Sequence, residues 1–149
     1  MNERPSRTIS DELAAVLFAV ELGRRGTGAV TRELTRAIVR WAHSRGWSAR
    51  TEAPVQPALA GPSGFGYVDV LIRRGPALAD VAVEIDSTDK PWSLAKLRHA
   101  ALGGMHAIWI RWGDDKWAGA FDEVDVIQLP ALRRTTPRAV QPGQLTFWT

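Results

Sequence analysis

Cysteine is absent from the 149 residues, which removes disulfides, thiolate metal sites and cysteine nucleophiles at once. Any bound metal must therefore rely on oxygen or nitrogen ligands. A long apolar run is also missing. The stretch Leu13 to Val20, preceded by Arg4 and Arg7, superficially resembles a secretion signal, but Asp11, Glu12 and Glu21 flank it, no small-residue cleavage site follows, and it is too short to cross a bilayer. This pattern predicts a buried helix in a cytoplasmic chain with no membrane partner. Glycine-rich phosphate loops are lacking as well. Gly23 to Gly28 has no following lysine and hydroxyl, and Gly61-Pro62-Ser63-Gly64-Phe65-Gly66 has neither a strand before it nor a helix after it, so nucleotide-cofactor chemistry is disfavoured. There is no internal repeat.

What is present suits one globular domain: 45% of the residues are hydrophobic and 23% charged, enough to bury a core. The net charge is only +3, from 19 basic and 16 acidic residues, but it is unevenly spread. Residues 130–149 hold Arg133, Arg134 and Arg138 and no acid, so residues 1–129 balance at zero. We therefore expect a single domain over 1–129 and a basic, proline-containing arm over 130–149. Between Arg24 and Arg50, seven arginines face one acid, Glu33. Arg32, Arg36 and Arg40 recur every fourth residue, a stripe along one helix face that can follow phosphates or simply meet solvent.

Periodicity supplies an order of elements. Ser10 as N-cap, with Asp11 and Glu12 in the first turn, predicts a first helix to about Leu22. Val30, Leu34, Ala37, Ile38, Trp41 and Ala42 predict a second, ending near Ser44 before Gly46. Trp47 to Ala53 reads as a strand and 54–64 as a loop. Two β-branched runs follow, Tyr67 to Ile72 and Val81 to Asp86, with Arg73-Arg74-Gly75-Pro76 as the turn between them. Pro91 opens a third helix to Leu102, and His106 to Arg111 is another strand. Asp114-Asp115 predicts a short helix to Ala120, and Val124 to Leu129 a last short strand. Trp41, Trp92 and Trp109 fall in apolar patterns and are expected in the core. Trp112 and Trp117 flank a turn and offer rings for base stacking.

The acids within these strands carry the chemistry. Alternation puts Glu84 and Asp86 on one face of a strand, and pairing with the preceding strand brings Asp69 beside them. Three carboxylates on an apolar patch repel one another and lose hydration unless a hard cation or a proton compensates. Mg²⁺ suits such a cluster, since it takes oxygen ligands and keeps waters that can be directed at a phosphate. Equally, the acids can sit at strand ends beside solvent with no ligand.

The succession helix, strand with Asp69, strand with Glu84-x-Asp86, helix and strand resembles the core of the PD-(D/E)XK, or restriction-endonuclease-like, nucleases over about residues 28–112. This resemblance implies an α/β fold with a central mixed four- to five-stranded sheet flanked by helices. It also implies hydrolysis of DNA phosphodiesters, with RNA an open second substrate, and Mg²⁺ or Mn²⁺ as cofactor. Asp69 and Glu84 match the two motif acids, and the segment from Ser93 to Leu97 resembles the start of the next helix. The chain departs from the motif at the lysine position, which is Asp86. Lys96, sharing a helix face with Trp92 and His99, and Lys90 are the substitutes. Asp86 would then support the metal or its water, and Glu33 would add a further acid ahead of Glu12 and Glu52. Relatives that cut both strands act as pairs, so a homodimer is compatible. The lost lysine also leaves open a non-catalytic module that binds nucleic acid or protein.

Overall fold

Val81-Ala82-Val83-Glu84-Ile85-Asp86 is buried from end to end, as an apolar, β-branched run covered on both faces should be. It forms the middle strand of the sheet. The computed structural model describes residues 8–22, 26–55, 66–113, 117, 119 and 121–130. In chain order the elements are α1 (Ile9–Phe18), α2 (Thr27–Ser44), β1 (Ser48–Val55), β2 (Gly66–Arg73), β3 (Val81–Asp86), α3 (Pro91–Leu102), β4 (His106–Arg111) and β5 (Asp125–Gln128). The chain is thus an α/β protein with a five-stranded mixed sheet in the order β1-β2-β3-β4-β5. β1, β2 and β3 are antiparallel neighbours, whereas β3, β4 and β5 run parallel. Parallel strands need a long crossover, and α3 supplies the one between β3 and β4.

The helices divide between the two faces. α1 and α2 cover one, where Leu13, Leu17, Leu34, Ile38 and Trp41 pack with Val70, Ile72, Val83, Ile85, Ile108 and Ile110. α3 covers the other, where Leu97 and Ala100 meet Val68, Leu71, Ala82, Ala107 and Trp109. Among the described residues, no helix is long and apolar enough to cross a membrane.

Several boundaries differ from the sequence expectation. α1 begins earlier because Thr8, not Ser10, is its cap: the Thr8 hydroxyl accepts from the Asp11 N–H and the Asp11 carboxylate accepts from the Thr8 N–H, a complete capping box. Ser10 lies inside the helix, where its hydroxyl donates to Asp125 at 2.5 Å, and His106 Nε2 lies 2.9 Å from the same hydroxyl and 2.8 Å from Asp125 Oδ2. This cluster ties α1 to β4 and β5. It is no hydrolase triad, since both partners share one ring nitrogen and a triad needs the acid on the other. α1 buries only Ser10, Leu13 and Leu17 and leaves Phe18 exposed, so it lies on the surface rather than being enclosed. Most of the helix expected at 114–120 and all of the arm expected at 130–149 except Pro130 lie outside the described residues; Trp117 and Gly119, which are described, are not helical.

Candidate active site

The site arises where the sheet's regular pairing breaks down. β2 and β3 pair at Ile72 with Val81, Leu71 with Ala82 and Val70 with Val83, and the ladder stops there. At the next position side chains take over the missing bonds. The Asp69 N–H donates to Glu84 Oε2 at 2.9 Å, and the Ile85 N–H donates to Asp69 Oδ2 at 2.7 Å. Two carboxylates thus bridge the strands, each satisfying a backbone donor that the ladder has left.

Both β1 and β2 reverse their facing at this level. On β1, Ala49 packs on the α1/α2 side and Ala53 on the α3 side; on β2, Val70 and Ile72 face α1/α2 while Val68 and Leu71 face α3. The reversal falls at Glu52 and Asp69, which lie opposite one another between the pairs Thr51–Val70 and Ala53–Val68. Glu52 makes the turn with a φ of 49°, a left-handed conformation that side chains other than glycine resist. Strict strand alternation is therefore interrupted just where the acids sit.

As a result, Asp69 opens toward α2 and Glu84 toward α3. A cavity of about 390 Å³ on the α2 side is bordered by Asp69, by Thr51 and Glu52 of β1, and by α2. The helix contributes Thr31, Arg32, Thr35 and Arg36. On the α3 side, Glu84 is only 3% exposed and its Oε1 lies 2.5 Å from Lys96 Nζ, itself 11% exposed. Lys96 Nζ also donates to the Tyr67 carbonyl at 2.6 Å. A Cβ placed on Gly66 would come within 2.9 Å of Lys96 Cδ and 3.5 Å of Trp92 Cζ2, so this glycine makes room for the lysine stem and the indole. Burial and the nearby Asp69 charge push the Glu84 carboxyl up to about 8, and the Lys96 ammonium opposes them.

Asp86 shares the Glu84 face but is held differently. Its Oδ2 accepts from Trp109 Nε1 at 2.8 Å, and its Oδ1 lies 3.4 Å from Lys90. Lys90 thus faces Asp86 from an exposed position, while Lys96 faces Glu84 from a buried one. The expected set of Asp69, Glu84, Asp86 and Glu33 is not assembled: among the described residues, no group of three or more potential ligands converges. Glu33 points away from the carboxylate pair. It pairs with Arg36 and borders a separate hollow with Arg40, beside α1. Helical geometry explains the error: Glu33 is one residue past Arg32, about 100° around the axis from the face that meets Asp69. Arg40 has drifted off that face as well, leaving Arg32 and Arg36 near the site. Glu12 is engaged elsewhere, with Trp41 Nε1 and Arg45. Glu52 is the remaining acid at the cavity.

The tryptophan expectations also change. Trp41 and Trp109 are buried, but Trp92 is 44% exposed, while Trp112 is a core residue. Trp117 packs edge-on against Trp109, with ring centroids 5.8 Å apart. Arg111 was not singled out from sequence. It is buried opposite Asp86, its guanidinium 5.4 Å from the Trp109 ring and 5.0 Å from Trp117, and its Nε donates to Gln128. Its position on the Trp109 face of an otherwise apolar strand was the available signal. Burial lowers its pKa.

An oxygen-only donor pair, one carboxyl of which is kept protonated first by burial and then by the charge of the other, fits a hard divalent cation. Mg²⁺ commonly binds through one or two carboxylates and keeps its waters, so Asp69 and Glu84 are the residues that would hold it.

No family model matches the sequence, and no curated protein matches it. Among solved structures, the chain is similar to a crystal structure described as that of a protein of unknown function, AF1548, at 11% identity and a TM-score of 0.40. The alignment covers 70% of this chain and 58% of that one.

Proposed function

We propose that this chain is a metal-dependent phosphodiesterase acting on DNA, built on a core of the PD-(D/E)XK type. The observation that carries the reading is the carboxylate bridge of Asp69 and Glu84 where the β2–β3 ladder ends, with the Lys96 ammonium against Glu84. A repelling, partly desolvated pair of acids costs stability, and that cost has a purpose if a cation and a phosphate use the site. Asp69 and Glu84 would hold Mg²⁺ or Mn²⁺, which supplies a water of lowered pKa and a polarised phosphate oxygen when bound.

The chain's own groups do the rest. Lys96 has three N–H donors, two of them directed at Glu84 and the Tyr67 carbonyl; the third would serve a phosphate oxygen that gains charge. Its buried stem keeps the ammonium in place without reorganisation. Asp86, fixed by Trp109 and Lys90, acts by holding the end of β3, and so the position of Glu84.

The test combines calorimetric titration of Mg²⁺ and Mn²⁺ with cleavage of mixed DNA substrates, using wild type, Asp69→Ala and Glu84→Ala. Site-dependent binding and metal-dependent cleavage, both lost in the two variants, are expected. Cleavage at wild-type rate in both variants would remove this site from the reaction. One observation favours a second reading, a non-catalytic nucleic-acid-binding module: an acid locked by an indole stands at the motif's lysine position. Salt-sensitive DNA binding without cleavage at any metal concentration is its signature.

A further inference from the structure

Two features on opposite sides of the carboxylate pair fit the same kind of substrate. On the α2 side, the cavity bordered by Asp69 and Glu52 carries two guanidiniums, Arg32 and Arg36, and the hydroxyls of Thr31 and Thr51, while the Thr35 hydroxyl donates to the Thr31 carbonyl. Guanidinium and hydroxyl groups are donors suited to phosphate oxygens. The volume of about 390 Å³ lies near the lower end of small-ligand sites. It is large enough for a backbone phosphate with its sugar.

On the α3 side, Trp92 exposes 44% of its surface and sits one helical turn before Lys96. Its ring edge and the Lys96 stem line the same space over Gly66, which places the exposed indole next to the ammonium that meets Glu84. A large exposed aromatic ring beside charged groups is poorly accounted for by core packing, since its neighbours Ser93 and Leu97 take the buried positions of that helix. Such a ring offers a face on which an unpaired base stacks.

We infer that the substrate strand crosses this site unpaired, with a backbone phosphate gripped by Arg32 and Arg36 in the α2 cavity and a base stacked on Trp92, so that the enzyme acts on single-stranded DNA or on frayed ends rather than on intact duplex. The inference rests on the nuclease reading and adds its substrate class. Arg40 supplies an internal control. It belongs to the same basic stripe but borders the other hollow, beside α1, so general attraction to DNA would use it as much as Arg32 and Arg36, whereas the cavity would not.

The experiment measures binding of a fluorescently labelled single strand, and of the same strand in a blunt duplex, by anisotropy in EDTA so that nothing is cut. Wild type is expected to bind the single strand about tenfold or more tighter than the duplex. Replacing Arg32 and Arg36 together by Gln should weaken single-strand binding about tenfold and lower the salt slope by about 0.7, the value for the one phosphate contact they share. Trp92→Ala should weaken it by a similar factor, with Trp92→Phe restoring most of it. Arg40→Gln should change little. All these side chains are exposed or at a cavity rim, and circular dichroism verifies that each variant is folded. Equal or tighter binding of the blunt duplex overturns the inference, as does an Arg40→Gln loss equal to that of the Arg32/Arg36 pair, or no binding of either probe. The nuclease reading is judged separately, by Mg²⁺-dependent cleavage that Asp69→Ala abolishes: duplex cleavage of that kind with no single-strand preference would sink this inference and leave that reading standing.

Discussion

At the scale of single residues, Glu84 departs furthest from ordinary carboxylic-acid behaviour. Its pKa is raised from 4.5 to about 8, first by burial and then by the charge of Asp69. Within that window the folded chain keeps a proton that the unfolded chain has lost, so folding stability falls as pH rises from about 4.5 and levels off above about 8. Glu84→Gln, which stays neutral throughout, should show a shallower fall of Tm across the same window when followed by calorimetry. An unchanged slope would mean that other groups set the pH dependence. Lys96 and Lys90 should separate in the cleavage assay. Lys96→Ala removes the buried ammonium at Glu84 and is expected to reduce kcat by about 100-fold or more, whereas Lys90→Ala, at an exposed position facing Asp86, should have a small effect. Alternation and helix spacing place Glu84 on a buried strand and Lys96 on the helix that covers it, but they do not give the facing of Asp69, which sits at the reversal. The sequence hid the roles of Glu33 and Glu52. Choosing between those two acids depends on where α2 lies against β1, which is a tertiary matter that local periodicity does not encode.

Among the elements, β3, α3 and β4 follow the residue limits that their apolar runs, Pro91 and Gly103 suggest, since each has an unambiguous period and clear stops. The reversal of facing at Glu52 and Asp69 was not legible. Glutamate is not a residue that announces a left-handed turn, and both strands keep the same register on either side of it. That conformation yields a prediction. Glu52→Gly should raise stability by about 1 kcal/mol by relieving the positive φ, and Glu52→Ala should not, as read from urea denaturation. A result in which Ala stabilises as much as Gly would show that the carboxylate, not the backbone, carries the strain. The close approach of β2 and α3 provides another. A Cβ at Gly66 meets the stem of Lys96, whose tip is held by Glu84 and the Tyr67 carbonyl, so the lysine has little freedom to move aside. Gly66→Ala is therefore expected to reduce cleavage nearly as much as Lys96→Ala while the far-ultraviolet circular dichroism stays native. Full activity in Gly66→Ala would show that the lysine position is not critical.

For the molecule as a whole, the proposed metal site would couple metal, proton and fold. The two acids are held at the fork between β2 and β3, with α2 on one side and α3 on the other, so a cation binding them engages both faces of the sheet. It must also displace the proton that Glu84 retains below about pH 8. Binding of Mn²⁺ or Mg²⁺ should therefore strengthen as pH rises toward that value, and titration in buffers of different ionisation enthalpy should reveal proton release. Because the unfolded chain has no such paired acids, the ion stabilises the native state by mass action, by about 2.7 kcal/mol at a free concentration of 100 times Kd. That corresponds to a rise in Tm of several degrees for a chain of this size. The rise should be larger at the alkaline end of the window than at the acid end, and should vanish in Asp69→Asn. A rise of equal size in that variant would place the ion elsewhere. A rise that is greatest at acid pH would contradict the exchange of a Glu84 proton for the metal, because the proton competes most strongly there.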